Sequence, residues 1–140
     1  MASNEEYASL NRDYADTESK KRASENRIAK YNAQLERLYP IKTTISTQKK
    51  NFKKICSGTD DLLDEERKWT GDNYQDFLKK GGWLSDDNVY FRDKSLDFIL
   101  DSLNTKITEI ENKRNNEYGV LGKLVSALNS LWNKIENYWN

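Results

Sequence analysis

A chain of 140 residues with 36% hydrophobic and 33% charged side chains has room for one domain, and it falls short of the roughly 45–50% apolar share that builds a thick core. Its 23 basic and 23 acidic residues cancel, which removes the global field that would draw it onto nucleic acid or an anionic membrane. With no His, one Cys and one Pro, the chain lacks the usual neutral-pH acid/base and metal ligand. The scarcity of turn formers points to long helices and away from an enzyme.

The N-terminal stretch from Met1 to Tyr14 is polar and acidic where an export leader would be basic and then apolar. No window approaches the ~20 apolar residues of a membrane span. The expectation is a protein made in the cytoplasm that inserts into no membrane and, if it leaves, leaves by a route that reads helical protein. Cys56 has no internal partner, so it is either a buried or idle thiol or a site of pairing between molecules.

In chain order, Ser3 with Glu6 three residues later fits a capping box that opens a helix. Apolar and small residues then recur three and four apart at Tyr7, Leu10, Tyr14 and Thr17, weaken at Lys21 and Ser24, and resume at Ile28, Tyr31, Leu35 and Leu38. Pro40 removes a backbone donor and clashes with the preceding turn. The spacing restarts at Ile41, Ile45, Gln48, Phe52 and Ile55, which implies a skip of register and either a kink or a break at Tyr39–Pro40. The first long helix is therefore expected over 4–57, kinked near Pro40.

Between Lys42 and Lys54 lie five lysines and no acid, followed by Asp60, Asp61, Asp64, Glu65 and Glu66. Opposite blocks side by side read as a solvated helix face, or as faces that pair across a partner, in preference to a nucleic-acid stripe. Residues 58–87 change character and read as a connector with short helices, because Trp69-Thr70-Gly71 and the doublet Gly81-Gly82 interrupt the pattern. Ser85, followed by Asp86 and Asp87, can cap a second long helix over 88–139.

That second helix carries a seam at Leu100, Leu103, Ile107, Ile110, Leu121, Leu124, Leu128, Leu131, Ile135 and Tyr138, with Arg114 and Glu117 standing in the same frame. Two long segments joined near the midpoint make an all-α, elongated, coiled-coil-like antiparallel helical hairpin with a W-x-G turn region. Two packed helices bury one stripe each, yet Val125, Trp132 and Trp139 lie beside the seam. Either the connector covers this excess or a second protein does, and the short, charged connector favours the second protein. The residues expected at that interface are Val125, Leu128, Trp132, Ile135 and Trp139.

No catalytic constellation appears. The acidic doublets sit where capping explains them, and a Cys without any His has no base. No cofactor or metal site is expected.

Trp69-Thr70-Gly71 between two long helices resembles the turn of the WXG (Esx-like) hairpin proteins of type VII secretion. The run from Gly119 to Glu136, Gly-Val-Leu-Gly-Lys-Leu-Val-Ser-Ala-Leu-Asn-Ser-Leu-Trp-Asn-Lys-Ile-Glu, closely resembles the C-terminal signature of the YwqH-like proteins of Gram-positive bacteria. Trp69, Gly71, Asn73, Tyr74 and Phe77 extend that resemblance over most of the chain. It implies a small accessory, chaperone-like protein that binds the helical domain of an LXG toxin for export, in a hetero-oligomer with room for a second small helical accessory protein. In WXG proteins an export signal pairs Tyr with an acid four residues on, and here that spacing occurs at Tyr14 and Glu18 alone. The other reading that the residues leave open is a self-associating coiled-coil scaffold. Trp69 can lay apolar surface across two helix ends while Gly71 permits the reversal, so both have a structural role in either reading.

Overall fold

The computed structural model describes residues 3–65 and 72–140, with side chains from 59 to 78 left aside. Among the described residues the chain is an all-α helical hairpin without strands. Helix α1 spans Asn4–Glu65, α2 spans Asp72–Tyr90, a π-helical segment spans Phe91–Leu96, and α3 spans Asp97–Glu136. Two compact units divide the chain: residues 1–36 with 108–140, and residues 37–107.

The first turn of α1 is fixed by the expected capping box. The Glu6 amide donates to Ser3 Oγ at 3.1 Å, and the Ser3 amide donates to Glu6 Oε2 at 3.3 Å. Two backbone donors that the helix itself cannot satisfy thereby find partners. The three-and-four spacing then decides which face is covered. Tyr7, Leu10, Tyr14, Thr17, Lys21, Tyr31 and Leu38 are half-buried, while Ser24, Ile28 and Leu35 are buried.

Pro40 lies inside α1 without ending it. A mid-helix proline forfeits the bond to the carbonyl four residues back, a cost of roughly 3 kcal/mol, so burial on both sides must hold the helix together. The expected skip of register is absent. Beyond Leu38 the covered positions are Lys42, Ile45, Lys49, Phe52 and Cys56, which continue the earlier frame, whereas Ile41, Gln48 and Ile55 are exposed. Lysine explains the discrepancy, because its aliphatic stem covers apolar surface while the ammonium reaches water. Cys56 takes the last place in the stripe among the described side chains, as a buried free thiol.

The helix boundaries also differ from the 4–57, 58–87 and 88–139 division. Helix α1 continues to Glu65, and Gly81-Gly82 and Ser85 lie within α2, so the glycine doublet is no stop and Ser85 does not stand at a helix start. A glycine in a helix interior costs only about 1 kcal/mol relative to alanine, which the surrounding helix outweighs. Trp69 and Gly71 fall outside the described residues.

The π segment has a reason in the sequence. Covered positions along the later helices fall at Ser85, Asn88, Arg92, Leu96, Leu100, Leu103, Ile107 and Ile110. From Asn88 to Leu100 the steps are four, four and four, one residue more than a three-and-four frame accommodates. A π turn takes up the additional residue, and Phe91–Leu96 lies between those points. The covered stripe therefore stays on one side of the helix.

Each unit pairs part of α1 with the later helical run in antiparallel sense. In the first, Tyr7 meets Tyr138, Tyr14 meets Trp132 and Ser24 meets Glu117. In the second, Lys49 forms an ion pair with Asp97, and Phe52 meets Phe91 edge-on with ring centres 5.1 Å apart. Substituting Leu35→Ala or Ile110→Ala, both at buried stripe positions, is expected to cost about 2–5 kcal/mol in urea denaturation. Ile41→Ala, on the exposed face, is expected to stay within about 0.5 kcal/mol. Equal losses at Ile41 and Leu35 would contradict the observed frame.

Candidate partner interface

Helix α3 and the turn that follows it separate their apolar residues into two sets. Leu128 is buried, and Leu121, Leu124, Leu131 and Ile135 are half-buried in the seam. Val125, Trp132 and Trp139 lie outside it, with Trp132 48% and Trp139 60% exposed. Of the five residues expected to meet a partner, Leu128 and Ile135 belong to the internal seam, because a helix buries the stripe that recurs every three and four residues. Val125, Trp132 and Trp139 remain as the available flank.

The two tryptophans are held by tyrosines of α1. Trp132 packs on Tyr14 with ring centres 5.8 Å apart, and Trp139 packs on Tyr7 at 5.4 Å and on Tyr138 at 4.7 Å. The Tyr138 hydroxyl lies 2.7 Å from the Ser3 carbonyl and 3.1 Å from Glu6 Oε2, and it can donate toward both. Burial, reinforced by the neighbouring Glu6 carboxylate, pushes the Tyr138 phenol above its ordinary range. The capping box and the C-terminal aromatic cluster are thus one construction: Glu6 serves the start of α1 and the end of the chain together. An indole so fixed offers a large, rigid apolar surface at little further entropic cost.

The tyrosine and acid of the possible export signal are both engaged. Tyr14 is half-buried against Trp132, and Glu18 accepts from Arg22 at 3.2 Å along the helix. Trp69 and Gly71, the turn motif, lie outside the described residues.

The polar interruption of the seam, by contrast, is a built feature. Fully buried Ser24 donates its hydroxyl proton to Glu117 Oε1 at 2.8 Å. Arg27 donates to the same oxygen from Nε at 2.9 Å and from Nη2 at 2.8 Å. The Arg27 guanidinium, followed by the Ser24 hydroxyl, holds the Glu117 carboxyl below the usual carboxylate range despite its partial burial. The same pairing raises Arg27. Nearby, Arg114 Nη1 donates to Asn32 Oδ1 at 3.3 Å, while Arg114 Nε is buried without a hydrogen-bond partner. The sequence carries a signal of this layer in the weak stretch at Lys21 and Ser24, which lies opposite the interruption at Arg114 and Glu117.

In the basic run, Lys49 is committed to Asp97, while Lys50, Lys53 and Lys54 are exposed and line an open depression with Ser57 and Gly58. Among the described residues, no group of His, Cys, Asp or Glu is placed to hold a metal ion, and no helix is long and apolar enough to cross a membrane. No family model, curated protein or solved structure matches the chain.

The Glu117 pairing sets a pH dependence. A carboxyl whose folded pKa is depressed contributes stability that is fully present above its unfolded pKa, near 4, and is lost as pH falls through the lower native value. Glu117→Gln is therefore expected to lower the melting temperature at pH 7, with the gap to wild type closing as pH falls below about 4. Melting curves across pH 2–7 check this, and a gap independent of pH would contradict it.

Proposed function

We propose that this chain is a non-enzymatic accessory protein that binds the helical LXG domain of a type VII secretion toxin and helps it reach the export machinery. The supporting observation is the position of Trp132: it is aromatic, rigidly backed by Tyr14 and half-exposed beside the seam. It lies in the Gly119–Glu136 run that resembles the YwqH-like signature. Hetero-association would explain why apolar side chains stand on this flank, since a second helical protein laid along it would remove them from water. A stable complex of that kind buries about 1,200–2,000 Å² in all. In this reading the chain is synthesised in the cytoplasm and is handed over, or exported, with its cargo. Any tyrosine-based export signal is then supplied by or shared with the partner, because Tyr14 is occupied in packing.

Co-expression with the LXG domain tests the proposal. Trp132→Asp is expected to keep helical circular dichroism near wild type, because the indole is half-exposed and its ring contact is worth only about 0.5–1.5 kcal/mol. The same variant is expected to lose co-purification, because a carboxylate buried at the interface would be unpaired. A folded Trp132→Asp that still binds would move the interface to another surface. A wild-type chain that fails to bind an LXG domain would remove the proposal.

A further inference from the structure

A second exposed aromatic face lies in the unit formed by residues 37–107, along α2, the π segment and the start of α3. Trp83 is 57%, Tyr90 65% and Phe98 73% exposed, and Ile99 is exposed beside them. Tyr90, Lys94, Phe98 and Ile99 border a single shallow groove, so the wider π turns keep positions four apart on one face. The Lys79 ammonium lies 5.2 Å from the Trp83 ring centre, yet most of that indole still meets solvent. An apolar patch of this kind at the surface marks a binding site more often than chance exposure.

The order of residues on this face says what fits it. Counting from Tyr90, Asp86 stands four residues before and Lys94 four residues after, while Trp83 stands seven before and Phe98 eight after. Asp86 and Lys94 are both exposed. A two-fold axis through Tyr90 that sets two copies antiparallel brings Asp86 of each against Lys94 of the other. It also brings Trp83 of each against Phe98 of the other and stacks the two Tyr90 rings at the centre. Other alignments of the same faces do worse: parallel copies in register oppose Lys94 to Lys94, and so does an antiparallel pair centred on Lys94. Such self-complementarity is what a two-fold interface between identical chains requires.

We infer that this face binds a second copy of the chain, antiparallel about Tyr90, and that the site is separate from the Trp132 flank. Its size can be compared with that of specific interfaces. Three aromatics, Ile99 and the stem of Lys94 present roughly 600 Å² per copy, so a dimer buries roughly 1,200 Å² in all, at the lower edge of specific interfaces. Interfaces at that edge include weak, transient encounters, so the dimer is looked for at micromolar and higher concentrations.

Sedimentation velocity of the whole chain from about 1 to 200 µM tests this. The wild type is expected to pass from monomer to dimer over that range, and Phe98→Ser to remain monomeric with unchanged circular dichroism. Asp86→Lys and Lys94→Asp are each expected to weaken the dimer about tenfold, because each sets like charges face to face, and the two together to return it to within about threefold of wild type. Trp132→Asp is expected to leave the dimer as it is, which separates this result from the fate of the toxin-binding proposal. A wild type that stays monomeric at about 200 µM would overturn the inference. So would a dimer that survives Phe98→Ser, or a paired charge exchange that is as weak as the single changes combined.

Discussion

The stripe along α1 is narrow, and within each unit the described helices are arranged to keep their part of it covered. A chain with one third of its residues charged has one line of side chains to bury on each helix, and a slip by one position would turn that line into water. Three local irregularities are consistent with that demand. Helix α1 retains Pro40 instead of breaking, α2 retains Gly81 and Gly82, and the later run takes a π turn where its sequence holds one residue too many for the frame. Each is unfavourable locally, and each preserves the register of the covered side.

Polar residues inside the stripe give it specificity that leucine alone could not. Ser24 and Arg27 converge on one oxygen of Glu117, and Arg114 reaches Asn32. A displaced pairing would leave a carboxylate and a guanidinium partly buried without partners, which is far costlier than a displaced leucine contact. We regard this layer as the element that selects the antiparallel alignment in its unit, in the way that single buried polar residues fix register in coiled coils. The flank outside the stripe is then free for other work. Trp132 and Trp139 are steadied by tyrosines of α1 without being consumed by them.

Much of this was legible in the sequence because it depends on period. The all-α hairpin, the capping box at Ser3 and Glu6, the α1 stripe up to Leu38 and the later seam from Leu100 to Tyr138 follow from spacing and local chemistry alone. Other features depend on what a neighbouring segment supplies. Lys42, Lys49 and Cys56 enter the stripe where Ile41 and Ile55 seemed better suited, because the frame set by Leu35 and Leu38 outranks side-chain type. Gly81-Gly82 reads as a helix stop in isolation and is overruled by the helix on both sides. Leu128 and Ile135 stood in the seam by spacing, with Trp132 beside it, and their burial leaves Trp132 as the more exposed of the interface candidates. The partners of Arg114 and Glu117 could not be read from either helix by itself.

Fluorine NMR of the chain labelled with 5-fluorotryptophan, recorded at fixed concentration before and after addition of the LXG domain, tests the central functional claim most directly. Four indoles report separately, and assignment by single Trp→Phe substitution identifies each signal. The account predicts that the Trp132 and Trp139 resonances shift on complex formation while that of Trp83 stays in place. A complex that shifts Trp83 and leaves Trp132 and Trp139 unchanged would contradict it.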